Sequence, residues 1–90
     1  MDAEWDEKKR LSNIEKHGVD FDDAASIFEG PTVDLPSRKL DYGEERFAVL
    51  GEADEKILFV VYTWRGDRRR IISARKAGSD ERERYYKGIA

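Results

Sequence analysis

Arginine is concentrated in one stretch of this chain, at positions 65, 68, 69, 70 and 75, around Gly66-Asp67 and the run Ile71-Ile72-Ser73-Ala74. A guanidinium presents a planar fork of donors that fits two phosphate oxygens at once. Arg65, Arg68, Arg69, Arg70 and Arg75 are therefore candidates for gripping a polyanion or for steadying charge on a phosphoryl group. Other reactive groups are few. His17 is the one histidine, and there is no cysteine. Disulfides and thiolate chemistry are excluded, and a dedicated transition-metal centre lacks ligands. The acidic residues are scattered, with no spacing that would assemble two metals. His17 belongs to the side-chain class that titrates near neutrality, which suits an acid or base, yet just before Gly18 it equally suits the negative end of a helix dipole.

Charge is segregated along the chain. Residues 1–60 hold 8 Lys/Arg against 16 Asp/Glu, residues 61–90 hold 9 against 4, and the net charge is −3. Such asymmetry points to a polyanion or an acidic partner, against the plainer reading of a merely soluble surface. Ninety residues make one domain, 1–90, burying roughly 60–65% of its unfolded surface. The segment Met1–Asp6 has no basic or apolar leader character, and no apolar run approaches the ~18 residues that span a bilayer. A cytoplasmic location without membrane contact is expected.

The elements that must position the arginines follow from caps and periodicity. Asp6 caps a helix running to about His17, with Leu11 and Ile14 on its apolar side and Gly18 as terminator; residues 3–5 allow a short edge strand. Asp20 caps a second helix that buries Phe21, Ala24, Ala25, Ile27 and Phe28 before Gly30-Pro31 stops it, giving a helical hairpin. Beyond Pro31 the period falls to about 2: extended segments are expected at 32–35 and 46–50, and a central strand at Ile57–Arg65. Gly66-Asp67 fits a two-residue type II′ turn, so Arg68–Arg75 returns antiparallel. Ser79 caps a last helix over Asp80–Lys87. The fold class is α+β: an N-terminal helical hairpin packed on a four-stranded antiparallel sheet, with a C-terminal helix.

With that turn, Arg65 faces Arg68, Thr63 faces Arg70, Val61 faces Ile72 and Phe59 faces Ala74 on one side of the sheet. Trp64–Arg69, Tyr62–Ile71, Val60–Ser73 and Leu58–Arg75 pair on the other. Arg65 opposite Arg68 is a like-charge pair that asks for a reason. Phosphate binding supplies one, and splaying into water to blunt an edge supplies another. Helical spacing sets Lys9, Asn13, Lys16 and His17 along one polar stripe, either a site wall or a solvated face. Trp5, Tyr62 and Trp64 offer faces on which bases could stack, with core filling as the alternative.

Several runs carry a family resemblance: Trp5-Asp6, Lys9, Asn13, Lys16-His17-Gly18-Val19, Phe21 and Ala24; then Tyr42-Gly43-Glu44, Arg46 and Gly51; and finally Arg70-Ile71-Ile72-Ser73-Ala74-Arg75. Together they resemble the BrnT toxins. The resemblance implies a RelE-like ribonuclease fold and the toxin half of a type II toxin–antitoxin pair, inhibiting translation by cutting RNA, free or on the ribosome. It also implies a BrnA-type antitoxin with a DNA-binding part, through which alone operator DNA would be reached. Without metal or cofactor, the ribose 2′-OH attacks the adjacent phosphorus, and the protein handles protons and phosphoryl charge. Arg65, Arg70 and Arg75 are then the charge-stabilising candidates, with His17 for proton transfer. Tyr85 and Tyr86 are the alternatives, since RelE-like enzymes can use a tyrosine near the C-terminus. Lys9, Lys16, Trp64, Arg68, Arg69 and Tyr86 are candidates for binding RNA. For both tyrosines, packing of the last helix is the competing role. A noncatalytic nucleic-acid-binding or antitoxin-holding module would use the same arginines.

Overall fold

A computed structural model describes residues 2–41 and 43–90, and of residues 37–41 the backbone alone. The turn expected at Tyr42-Gly43-Glu44 therefore falls partly outside the described residues. The chain enters through strand β1 (Ala3–Trp5) and turns at Asp6 into helix α1 (Glu7–His17). The Asp6 carboxylate accepts the Lys8 and Lys9 N–H groups at 2.8 and 3.3 Å, two of the donors a helix start leaves open. Gly18 ends the helix, its N–H donating to the Ile14 carbonyl at 2.8 Å. Arg10 ties this helix to the next by pairing with Glu7 at 2.6 Å and with Asp20 at 3.0 Å.

The second helical segment is shorter than expected. Helix α2 spans Phe21–Ser26 and tightens into a 3₁₀ turn at Ile27–Glu29. The expected helical hairpin needs correcting: α1 and α2 each pack on strand β5 (Arg68–Lys76) rather than chiefly on one another. With apolar residues at nearly every buried position of so short a segment, the sheet offers more area to cover than another short helix does.

The sheet also differs from expectation. It has five strands in the order β1-β5-β4-β3-β2, with β2 at Thr32–Asp41, β3 at Glu44–Ala53 and β4 at Lys56–Arg65. Consecutive pairs from β2 to β5 are antiparallel, but β1 lies parallel to β5, matching Ala3, Glu4 and Trp5 with Arg69, Arg70 and Ile71. The sheet is mixed because the whole chain intervenes between β1 and β5, long enough for a parallel return, and because the open edge of β5 is a liability until covered. Gly66 has φ +63°, as the first central position of a type II′ turn requires.

Both faces of β4 are covered for most of its length. On one side Leu58, Val60 and Tyr62 join Val19, Phe21, Ala24, Ile27, Val49 and Ile71; on the other Ile57 lies with Leu50, Ala77 and Tyr85 under helix α3 (Ser79–Ile89). Trp5 packs edge-on against Phe21 with centroids 6.3 Å apart and belongs to this core rather than to a base-stacking surface. The 3₁₀ turn comes so close to β3 that a Cβ on Gly51 would sit 2.6 Å from the Ile27 Cβ. Gly51→Ala is expected to destabilise the domain by about 1–3 kcal/mol through overpacking, read as a lower urea midpoint. An unchanged midpoint would show that the turn yields freely.

Candidate active site

The hairpin that carries the arginines keeps the expected register only near its turn. Arg65 pairs with Arg68, Trp64 with Arg69, Thr63 with Arg70 and Tyr62 with Ile71; the ladder then slips, and Val61 meets Ser73, Val60 meets Ala74 and Phe59 meets Arg75. Ile72 is the extra residue of a β-bulge. One added residue moves everything beyond it to the other face. Arg75, expected opposite Leu58 beside Trp64 and Arg69, instead stands over the Phe59 ring, 4.2 Å from its centroid. The bulge thus puts Arg75 on the face of Arg65, Arg68 and Arg70. Arg69 and Trp64 stay on the helix-covered face. There the Arg69 guanidinium lies 4.1 Å from the Phe28 ring and 4.6 Å from Trp64, held by cation–π contact.

Each of the three arginines expected to act in catalysis has a carboxylate partner, and each partner comes from a different element. Arg70 bonds Glu4 of β1 at 2.7 Å, both side chains partly buried. Arg75 makes a two-pronged pair with Glu81 of α3, at 2.8 and 2.9 Å. That hydrogen bond holds the Glu81 carboxyl below its usual range and raises the Arg75 guanidinium. Glu81 also accepts the Gly78 N–H at 2.8 Å, so the pair is anchored at the start of the helix. Arg65 reaches Glu44 of β3 at 3.5 Å, turning away from its like-charged neighbour. Arg68 is exposed and has no ion-pair partner among the described residues. The forks are pre-oriented by side chains as well as by the strand.

Helix α1 borders this face. Lys9, Ser12, Lys16 and His17 line a hollow of ≈ 260 Å³ together with Ile72 and Ser73 of the bulge. Asn13, expected on the same polar stripe, is instead buried. Its amide donates to the Val19 carbonyl at 2.9 Å and the Ala74 carbonyl at 2.8 Å, and its oxygen accepts the Ala74 N–H at 3.2 Å. It takes over the pairing of β5 where β1 stops. Across Ile72 and Ser73 lies a second hollow of ≈ 330 Å³, floored by Ala48, Phe59 and Val61 and bordered by Arg46. The helix stripe, read separately from the arginine run, meets β5 at the bulge that lies between Arg70 and Arg75 in the strand.

The two C-terminal tyrosines part company. Tyr85 is 1% exposed, its hydroxyl donates to the Pro31 carbonyl at 3.1 Å, and burial pushes its phenol above the ordinary range. It is a core anchor for α3, and its buried, committed hydroxyl argues against proton transfer. Tyr86 is exposed on α3. Glu4 and Glu81 were not singled out by sequence, and Ser73 was given no role of its own; the bulged register brings Ser73 beside α1, and nothing local marks the carboxylates. Among the described residues no three of His, Asp and Glu come together to hold a metal ion.

Residues 5–81 match the family described as "Ribonuclease toxin, BrnT, of type II toxin-antitoxin system". The chain belongs to the BrnT family. It is similar in structure to the Brucella abortus ribonuclease toxin BrnT, known from a 1.1 Å crystal structure, with 32% identity, a TM-score of 0.69, and coverage of 88% of this chain and 99% of that one. No curated protein matches. The two runs that carry the BrnT resemblance most specifically, Lys16-His17-Gly18-Val19 and Arg70–Arg75, are the end of α1 and the bulged stretch of β5. They adjoin through Asn13 and Ala74. No helix of the described residues is long and apolar enough to cross a membrane.

Proposed function

We propose that this BrnT-family chain is a ribonuclease that cuts RNA by metal-independent attack of the ribose 2′-OH on the adjoining phosphate. The observation that carries the reading is the hollow that Lys9, Lys16 and His17 of α1 line with Ile72 and Ser73, the residues that lie between Arg70 and Arg75 along β5. Phosphoryl transfer of this kind needs rigid positive charge where the phosphorane charge develops, and a group to move protons. Arg70 and Arg75 supply the charge from a paired strand, and His17 on the helix rim moves the proton. Arg65, Arg68, Lys9 and Lys16 hold neighbouring phosphates, whose contacts position the strand without reading its sequence. Trp64 and Arg69, on the other face, lie outside this constellation.

In this reading a BrnA-type antitoxin lays an acidic segment over the same face and silences it, and operator DNA is bound only through that antitoxin. The toxin acts in the cytoplasm on RNA, free or on the ribosome, and translation falls. Purified chain incubated with RNA in excess chelator is expected to yield fragments ending in a 2′,3′-cyclic phosphate or 3′-phosphate and a 5′-hydroxyl, with 2′-deoxy substrate uncut and antitoxin abolishing the reaction. Loss of cutting on chelation, restored by magnesium, would overturn the mechanism. Salt-sensitive RNA binding with no product would favour a noncatalytic module.

A further inference from the structure

The face that carries the arginines is not filled by α3. Helix α3 covers Leu50 and Ile57, while Phe59 and Val61 farther along β4, with Ile72 opposite, remain only partly buried in the ≈ 330 Å³ hollow. Small side chains keep it open: Ala48 lies opposite Val61 on one side of it and Ser73 on the other. Its lining is largely apolar, and the Arg75 guanidinium lies 4.2 Å from the centroid of the Phe59 ring. Ile72 and Ser73 also line the cationic hollow of Lys9, Lys16 and His17. An apolar half and a cationic half thus adjoin at these two residues.

We infer that the apolar half, bounded by Ala48, Phe59, Val61 and Ile72, is a subsite for one unstacked RNA base, with its phosphate over Ser73 and the α1 cations. A nucleotide carries the same division, a flat apolar base joined to an anionic phosphate. Splayed bases settle against apolar and aromatic surfaces, which Phe59, Val61 and Ile72 supply in this hollow. An antitoxin segment with an apolar side chain beside an acidic one fits the same division, and the test separates the two occupants. The inference rests on the ribonuclease reading for its choice of ligand, not for its geometry.

The test uses an uncleavable 2′-O-methyl RNA hexamer and an abasic hexamer of equal charge, so that binding is read without catalysis. The intact protein is expected to bind the base-bearing hexamer about tenfold more tightly, a typical stacking contribution. Ala48→Leu fills the hollow from its floor and is expected to bind both hexamers at the abasic affinity. If that variant misfolds, titration of the intact protein with uridine monophosphate still decides, through the methyl resonances of Ala48, Val61 and Ile72. Equal affinity for the two hexamers with unmoved methyls would overturn the subsite. So would an Ala48→Leu variant that keeps its base preference, or one that loses only its response to antitoxin. Base-dependent binding by a protein that cuts no RNA would sink the catalytic reading and leave the subsite standing.

Discussion

Arg70→Ala is expected to lower RNA cleavage by about 10²- to 10³-fold, the usual cost of losing one fixed donor aimed at developing charge. Arg70 is the sharpest probe of the arginine face because two constraints fix it. It sits in the ladder opposite Thr63, and its guanidinium is held by Glu4 at 2.7 Å. Fixed placement is what transition-state stabilisation demands, since a donor that must first be ordered contributes less. Stability should change little. The pair is partly exposed, and such ion pairs contribute about 0–1 kcal/mol. Arg75→Ala is a poorer probe, because it also releases Glu81 from the two-pronged contact at the start of α3. The control is Glu4→Gln, which removes the charge beside Arg70 but keeps a hydrogen-bond acceptor for it, so a smaller loss than in Arg70→Ala is expected. Cleavage retained in Glu4→Gln and lost in Arg70→Ala places Arg70 on the phosphate. Equal losses would mean that the pair merely shapes the β1 edge. Full activity in a folded Arg70→Ala protein would remove the hairpin from the chemistry and leave the α1 rim with His17 as the place to look.

The parts of this fold that announce themselves in sequence are those built from local signals. Asp6, Gly18 and Asp20 cap where they should, Gly66 makes the expected turn, and the near-continuous apolar run of β4 is buried on one face and partly covered on the other. What was not legible depends on tertiary partners. The bulge at Ile72 lies in an unbroken Ile-Ile run with no glycine to mark it, and it alone decides which face Arg75 joins. The turn between β3 and β4 uses Asp54 and Glu55 at φ +51° and +65°, a left-handed pair more usually built from Asn-Gly, so its register has no strong local marker. β1 has only three residues and takes its direction from the edge it covers. Asn13 was read as part of a polar stripe because spacing shows which residues share a face of a helix. It does not show whether that face looks at water or at another strand's unpaired peptide. The family resemblance was most specific at the end of α1 and along β5. It could not say that these two runs are neighbours.

Asn13→Ala is expected to be the most destabilising single change in the neighbourhood of the site, by about 3 kcal/mol. The amide is 6% exposed and satisfies three buried backbone groups: the Val19 carbonyl, the Ala74 carbonyl and the Ala74 N–H. Leaving one buried polar group unmade costs about 1–3 kcal/mol, and the adjoining hollow admits some water, so the sum falls well short of three full penalties. In a domain of this size about 3 kcal/mol lowers Tm by roughly 12–24 °C. Asn13→Asp should be at least as damaging at neutral pH, because a carboxylate can still accept the Ala74 N–H but turns its other oxygen on two carbonyls. The folded state then favours the protonated acid and raises its pKa. The deficit should shrink as pH falls through that raised value, whereas loss of a carboxylate salt bridge would make stability worse on acidification. Melting curves of the two variants across pH 4 to pH 7 check the sign. A drop in Tm of less than about 5 °C for Asn13→Ala would mean that water replaces the amide without loss. The effect should also reach the site. Ala74 lies between Ser73 and Arg75, so a peptide no longer pinned by α1 frees both. Cleavage should therefore fall in Asn13→Ala even at temperatures where the protein is fully folded. Unchanged cleavage there would show that the bulge holds its shape without the helix.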